Sequence, residues 1–151
     1  MKDQCLKLLN YELWANSRVI EALTTLADPP PRAVAIMAHV LSAGQVWLSR
    51  ILKEPVDVAV WEDIAVDQLM NVAQRQNERF RHFVAQQDET ALQRTIDYTD
   101  TKGTPYTNSL LDLLIHVSHH AAYHRGQVIQ LIRPLAVAVP PTDYVVWLRT
   151  T

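Results

Sequence analysis

The stretch SLLDLLIHVSHHAAYHRGQVIQLIR, residues 109–133, decides the fold, because it is long, apolar along one side and free of proline. Its apolar residues and two of its histidines recur every three or four positions, which predicts an amphipathic α-helix ending before Pro134. Ser109 with Asp112 resembles a capping box, so we expect the helix to begin there. The inner stripe of this helix consists of Leu110, Leu113, Val117, His120, His124 and Leu131.

Three other long helices are predicted before this one. Asp28-Pro-Pro-Pro31 separates the first from the second, and because this turn is short we expect those two helices to be antiparallel neighbours. A Lys102-Gly103 turn signal among Thr, Ile and Tyr residues predicts a short hairpin or extended crossover. The predicted elements are helices at 3–26, 32–53 and 64–87, the hairpin or crossover at 94–107, and a short closing helix at 142–149. The sequence therefore predicts an all-α protein, a four-helix bundle, in one domain spanning 1–151.

Composition and charge narrow the functional classes. The net charge of −2 comes without a basic cluster, so no nucleic-acid partner is expected. The apolar stretch Ala33–Leu48 is interrupted by polar residues, and we expect a buried helix and no membrane span. A lone cysteine, Cys5, fits a reducing compartment, and the polar N-terminus lacks the apolar block of a signal peptide. These features favour a cytoplasmic protein.

The histidines are the candidate functional residues. His116, His120 and His124 share one helix face, since residues four apart on a helix lie one above the other. That face overlaps the apolar stripe, and a metal ion would satisfy several buried ring nitrogens at once. His39 lies on the inward face of the second helix, where it offers a third ligand. The hypothesis is a metal site of His39, His120 and His124; the alternative is that these are hydrogen-bonded core histidines.

Several neighbours are candidates for supporting roles. His116 is interpreted as a group behind the ligands, with a fourth ligand or a rim position as alternatives. Asn16 and Gln127 are polar residues on apolar stripes, and either one would orient a ligand ring or simply satisfy a backbone group. We expect His82 and His119 to be exposed. The tryptophans are expected to form core or pocket wall, with core favoured: Trp14, Trp47 and Trp61.

The stretch His120-Ala-Ala-Tyr-His124-Arg-Gly-Gln127 resembles the H-x-x-x-H-R-G-Q signature of the DinB (damage-inducible) family. Three further blocks are similar to it: the Tyr11–Asn16 segment, His39 with Trp47–Ile51, and Pro141–Arg149. The resemblance implies a bundle with up-down-down-up winding, commonly a homodimer, and a metal held by His39, His120 and His124. His116 matches a family position that is not generally counted as a ligand. In the signature, Arg125 is expected to pair with an acidic neighbour and Gly126 to allow close helix approach.

Three neutral histidines leave coordination positions open, which is typical of catalytic zinc sites. Imidazole suits several transition metals, and zinc or nickel is expected. Since family relatives include thiol-dependent transferases, we hypothesise a metal-dependent enzyme that transfers a low-molecular-weight thiol to a small-molecule electrophile. His116 or Tyr123 would act as acid or base. The alternatives are a metal-assisted hydrolase and a non-catalytic, stress- or damage-responsive dimer with a structural or regulatory metal; a pocket at the site would favour catalysis.

Overall fold

The computed structural model describes residues 1–135, 138 and 141–150. Over these residues the chain is mostly helical and carries one small two-stranded sheet, so the predicted helical class is confirmed. The elements are α1 (Lys2–Thr24), α2 (Pro31–Leu52), α3 (Leu69–Ala85), α4 (Glu89–Gln93), β1 (Thr95–Thr99), β2 (Pro105–Ser109), α5 (Leu110–Ile132) and α6 (Tyr144–Trp147), with a 3-10 turn at Arg133–Leu135.

The helix α5 begins where its sequence predicts. The Ser109 hydroxyl accepts a hydrogen bond from the Asp112 backbone N–H at 3.0 Å and donates one to the Asp112 carboxylate at 2.6 Å. This satisfies one of the free N–H groups at the helix start, and the carboxylate lies at the positive end of the helix dipole. The first turn of the helix that carries His120 and His124 is therefore fixed locally.

The predicted hairpin is present as the antiparallel pair β1 and β2, in which Tyr98 faces Tyr106. Its turn is closed by the Asp100 carboxylate, which accepts hydrogen bonds from the backbone N–H groups of Lys102 and Thr104 at 2.8 and 2.9 Å. Gly103 adopts a φ of +83°, a conformation that residues other than glycine rarely adopt. Since β2 ends at Ser109, the hairpin leads directly into α5.

Two features of the third helical region were predicted incorrectly. The helix α3 begins at Leu69, five residues after the predicted start, because the preceding residues form turns. The short helix α4 was not foreseen. It is capped by Asp88, whose carboxylate accepts a hydrogen bond from the Ala91 backbone N–H at 2.6 Å.

The packing of the long helices differs from the expectation for α1 and α2. Helix α1 packs mainly against α3 and α5, and α2 packs mainly against α5 and α3, whereas α1 and α2 touch only slightly. The prediction that the first two helices are close neighbours is therefore wrong. The six-residue link 25–30 explains this, since an extended segment of that length reaches about 20 Å, enough to cross a bundle.

The helix α2 is long and apolar enough to cross a membrane by length and composition alone. However, 72% of its most apolar window is buried inside the protein. Its inner residues join one core cluster with Val19, Ile20 and Leu23 of α1 and Val128 of α5. This is the pattern of the central helix of a globular core, and it agrees with the interpretation drawn from the sequence.

Candidate metal centre

The structure brings the three predicted ligand residues together. His39 is contributed by α2, and His120 and His124 lie one turn apart on α5, the helix against which α2 packs most closely. His39 is 4% exposed, and the other two are half-buried. One ring nitrogen from each of the three lies within 4.8 Å of the others, so the group can hold a metal ion.

The spacing of the His39 and His120 nitrogens fits a transition metal. His39 Nε2 lies 3.2 Å from His120 Nε2. Two imidazole nitrogens bound to one zinc ion at tetrahedral angles lie about 3.4 Å apart, given metal–nitrogen distances of about 2.0–2.1 Å. Three neutral imidazoles are also the donor type that zinc, nickel and copper accept.

The orientation of the His39 ring is set by the segment between α2 and α3. His39 Nδ1 lies 2.8 Å from the Val60 carbonyl oxygen, which also accepts a hydrogen bond from the Ser42 hydroxyl at 2.7 Å. A carbonyl can only accept, so Nδ1 carries the proton and Nε2 presents its lone pair to the site. Nothing in the sequence pattern around Val60 indicated this contact.

Of the two polar residues proposed to orient a ligand ring, Gln127 lies beside the histidines. Its Oε1 is 2.8 Å from His124 Nδ1, which leaves His124 Nε2 free to face the other rings. The expectation for Asn16 is corrected. Its side-chain oxygen accepts a hydrogen bond from Arg125 Nη1 at 2.9 Å, because a buried guanidinium takes up the acceptors within its reach.

Trp61 is a wall of the site, which corrects the expectation of a core position. Its ring stacks on His39 with centroids 3.8 Å apart and an interplanar angle of 11°, while 51% of the residue is exposed. The Arg32 guanidinium lies 5.4 Å from the centroid of the same ring. Trp61 therefore covers the outer face of His39. The sequence did not indicate this position, because Trp61 lies in an irregular segment without apolar periodicity.

The two candidate acid–base residues lie at the edge of the site. His116 is exposed, and its ring centroid lies 5.0 Å from Trp47 and 5.8 Å from His120. Tyr123 is 66% exposed, with its ring 5.0 Å from His124. His82 and His119 are exposed, as predicted.

Burial favours the uncharged form of two of the three imidazoles, His120 and His39. Burial, followed by the proximity of His124, His39 and His116, lowers the pKa of His120 to about 4. Burial also lowers the pKa of His39, an effect that the hydrogen bond to Val60 opposes. A metal ion binds the neutral form of the ring. Since nearly all His120 rings are already neutral at pH 7, metal binding would release few protons from them.

Two adjoining cavities lie beside His39 and His120. The inner one, about 170 Å³, is lined by His39, His120, His116 and Trp47 among others. The outer one, about 580 Å³, lies between the end of α2, the following segment and β1, and this volume is in the range of small-molecule sites. The residues that line both cavities are Val46, Arg50, Val60, Asp100 and Thr101.

A buried ion pair holds α5 against α1. Arg125 is 1% exposed, and its Nη1 lies 2.5 Å from Glu12 Oε2, so the predicted acidic partner is present. The Ser118 hydroxyl donates to the other Glu12 oxygen at 2.7 Å, and Arg125 Nη2 donates to the Tyr11 hydroxyl at 3.2 Å. The sequence did not single out Glu12, because an acidic residue on α1 carries no signal of its distant partner.

The expectation that Gly126 allows close helix approach is wrong. A Cβ built at Gly126 would meet no atom within 4 Å, so the position has open space. The close approach occurs at Gly44 on α2, where a Cβ would lie 2.9 Å from the Gln76 side-chain oxygen. Gln76 in turn donates a hydrogen bond to the Leu41 carbonyl at 2.6 Å.

Comparison with known proteins covers the whole chain. The sequence profile described as the DinB family matches residues 1–151. The chain belongs to the DinB family. It is similar to Protein DinB of Bacillus subtilis (strain 168), with 24% identity over 169 aligned residues that cover 100% of this chain and 97% of the relative. No solved structure matches the chain. In this DinB-family chain, the segment that resembles the family's H-x-x-x-H-R-G-Q signature contributes His120 and His124 to the site and Arg125 to the ion pair with Glu12.

Proposed function

We propose that this DinB-family protein binds one divalent transition-metal ion, zinc or nickel, through His39, His120 and His124. The observation that carries this proposal is the convergence of three ring nitrogens within 4.8 Å from two different helices. The hydrogen bonds from His39 to Val60 and from His124 to Gln127 support it, because each leaves the second ring nitrogen available. Such supporting contacts are typical of metal-binding histidines.

We further propose that the protein is a metal-dependent enzyme, and specifically a transferase that moves a low-molecular-weight thiol onto an electrophilic small molecule. Three protein ligands leave coordination open, and the adjoining cavities supply space for a substrate. When bound, the metal would act as a Lewis acid that lowers the pKa of a thiol or polarises a carbonyl.

The residues of the chain have distinct roles in this mechanism. Trp61 and the residues around it cover one side of His39 and exclude water there. His116 lines the inner cavity beside His120, a position from which its ring would accept or return a proton. Tyr123, beside His124, is the alternative proton carrier.

The finer architecture and setting are also part of the proposal. Up-down-down-up winding is supported by the pairing of α1 and α2 with α3 and α5, and not with each other. A homodimer is supported by apolar side chains exposed on α5, namely Ile115, Tyr123 and Leu131. The proposed location is the cytoplasm, where the single buried Cys5 would stay reduced.

Metal analysis of protein purified without a His-tag tests the site. One equivalent per chain is expected for the wild type, and His120→Ala and His124→Ala should each lose it. His119→Ala is the matched control, since His119 lies exposed on the same helix and should leave metal content unchanged. If both ligand variants retain one equivalent, the ligand set is wrong.

A screen that pairs common cellular thiols with electrophilic substrates, with and without a chelator, tests the chemistry. Conjugation that stops on chelation and returns with added metal is expected. Activity indifferent to the chelator would contradict the mechanism. Stoichiometric metal without any thiol-dependent activity would favour the non-catalytic alternative, a stress-responsive protein with a structural or regulatory metal.

A further inference from the structure

Arg50 lines the same cleft as His39 and His120, and none of the roles described above uses it. It follows His39 on α2 by eleven residues, which is about three helical turns, so the two residues lie on one side of the helix. Their backbones are about 16 Å apart along the axis, and helical side chains lean toward the N-terminus, which brings the guanidinium closer to His39. Arg50 lines both the inner and the outer cavity.

Two aromatic rings hold the Arg50 guanidinium in place. Its Cζ lies 4.8 Å from the Trp47 ring centroid and 5.6 Å from the Tyr98 ring centroid. Trp47 in turn packs against His116, whose ring neighbours His120. Stacking restricts the long side chain without using its N–H groups, so a bound anion would meet a largely preorganised donor.

The charge of Arg50 has no acidic partner within salt-bridge distance among the described residues. The arginines that do have one are Arg79, with Glu54 at 2.6 Å, and Arg125, with Glu12. Asp100 lies in the same cleft, but its carboxylate is engaged by two backbone N–H groups of the hairpin turn. Those hydrogen bonds are also the main reason that the Asp100 pKa is lowered, with Arg50 a minor contributor.

We propose that Arg50 binds the carboxylate of a small organic ligand whose other end lies at the three histidines. The planar guanidinium fork matches a carboxylate in two parallel hydrogen bonds. A singly charged carboxylate is favoured over a doubly charged phosphate, because the acidic lining of the outer cavity (Glu54, Asp97 and Asp100) outnumbers the basic lining (Arg50 and Lys53) and repels the larger charge more strongly. The inner cavity, which is lined by Arg50 as well as by His39 and His120, also has apolar lining residues that suit a hydrocarbon chain: Ala43, Val46 and Val60.

The inference rests on the proposed function only for the far end of the ligand, because carboxylate binding at Arg50 needs no metal. The test uses cobalt-loaded protein titrated with mercaptopropionate, mercaptohexanoate and mercaptooctanoate. The neutral mercapto-alcohols of the same lengths serve as reference, and thiolate-to-cobalt absorption reports binding. The three lengths test different separations between the histidines and Arg50.

For at least one length, the carboxylate should bind about 10- to 100-fold more tightly than the alcohol, as expected for hydrogen bonds to charged groups. Arg50→Met, which keeps an apolar stem against Trp47, should remove this preference and leave alcohol affinity unchanged. Arg50→Lys should keep part of it. Arg18→Met is the matched control, because Arg18 lies 5.0 Å from the Trp14 centroid on α1, outside the cavity lining, and should keep the preference in full.

Equal affinity of carboxylate and alcohol at every length, or a preference that survives in Arg50→Met, would overturn the proposal. Stronger competition by inorganic phosphate than by acetate would overturn the choice of carboxylate. If the protein takes up no cobalt, the proposed metal site fails and Arg50 is tested separately. Octanoate and octanol are then titrated into metal-free protein with Trp fluorescence as readout, and the same variants and the same criteria decide.

Discussion

The protons on the ligand rings determine how the site receives an ion. His39 donates its Nδ1 proton to Val60, so its Nε2 lone pair faces the site. His39 Nε2 lies 3.2 Å from His120 Nε2, and a proton on His120 Nε2 would make this contact a hydrogen bond in the metal-free protein. His39 and His124 each engage Nδ1 outside the site, which leaves Nε2 to face the other rings.

Gln127 is expected to strengthen metal binding through His124. Gln127→Leu removes the acceptor for His124 Nδ1, and metal affinity should fall by about 10- to 100-fold, the usual cost of losing such a contact. Competition with a chromophoric chelator measures the change. Gln130→Leu, at an exposed position on the same helix, is the control. Equal affinities for the two variants would contradict the role of Gln127.

The stability of the metal-free protein should depend on pH through His120. Its pKa is lowered to about 4 in the folded state, below the value near 6.5 of an exposed histidine, so the unfolded chain binds the proton first. The free energy of unfolding should therefore fall as pH drops from about 6.5 to about 4.

Urea unfolding at several pH values measures this dependence. His120→Gln should show a shallower pH dependence than wild type, because its side chain does not titrate. His82→Gln, which changes an exposed histidine, should follow the wild type. If His120→Gln loses stability with acid as steeply as wild type, the assignment to His120 is wrong.

At the scale of elements, the segment between α2 and α3 contacts His39 and holds it in place, whereas the helices supply the three histidines. It carries the Val60 carbonyl that fixes His39 and the Trp61 ring that covers it. These contacts join a helix to a stretch without regular structure. The segment thus contributes to the proposed metal site although none of its residues is a proposed ligand.

Trp61 should report metal binding directly. Nickel or copper bound at the histidines would quench its fluorescence, because the ring lies 3.8 Å from His39 and 6.4 Å from His124 between centroids. Trp61→Phe should remove part of the quenching seen on titration, because Trp47, which lines the inner cavity with His39 and His120, would also be quenched. Trp14→Phe should keep it, since Trp14 packs against Tyr11 on α1. Quenching that persists in full without Trp61 would place the ion elsewhere.

The features that sequence predicted are those set by local chemistry. Apolar periodicity located the long helices, Ser109 marked the start of α5, and Gly103 marked the hairpin turn. The inward face of His39 followed from its helical neighbours, so the grouping of the histidines was visible before the structure.

The features that sequence missed depend on residues far apart in the chain. The contact of Trp61 with His39 spans 22 positions, and that of Glu12 with Arg125 spans 113. No periodic pattern in the sequence indicates such pairs. Each partner, considered by itself, looks like an ordinary surface or core residue. The slight contact between α1 and α2 was missed for the same reason, since the link length permits several packings.

At the scale of the whole molecule, the pair of Arg125 and Glu12 is expected to stabilise the fold strongly. Arg125→Met leaves Glu12 buried without a counter-charge, and the free energy of unfolding should fall by about 3–5 kcal/mol. Chemical denaturation measures this change. Arg79→Met breaks an exposed pair and should cost less than about 1 kcal/mol.

A double variant separates the buried charge from lost packing. Glu12→Gln combined with Arg125→Met removes both charges, so it should be more stable than Arg125→Met alone. A double variant that is less stable than Arg125→Met would show that lost contacts, and not the uncompensated charge, cause the destabilisation.

The hairpin before α5 is a part of the protein whose sequence can change without disturbing the three histidines. Within β1 and β2 only Ile96 is buried, and the strands are held by their own ladder and by a turn closed on Asp100. Tyr98 packs against Trp47 and Arg50 and Ser109 caps α5, but the other strand side chains lie outside the core, and β1 forms one side of the outer cavity. Under the proposed function, substitution at those other strand positions would change which compounds fit the cavity while the three histidines stay fixed.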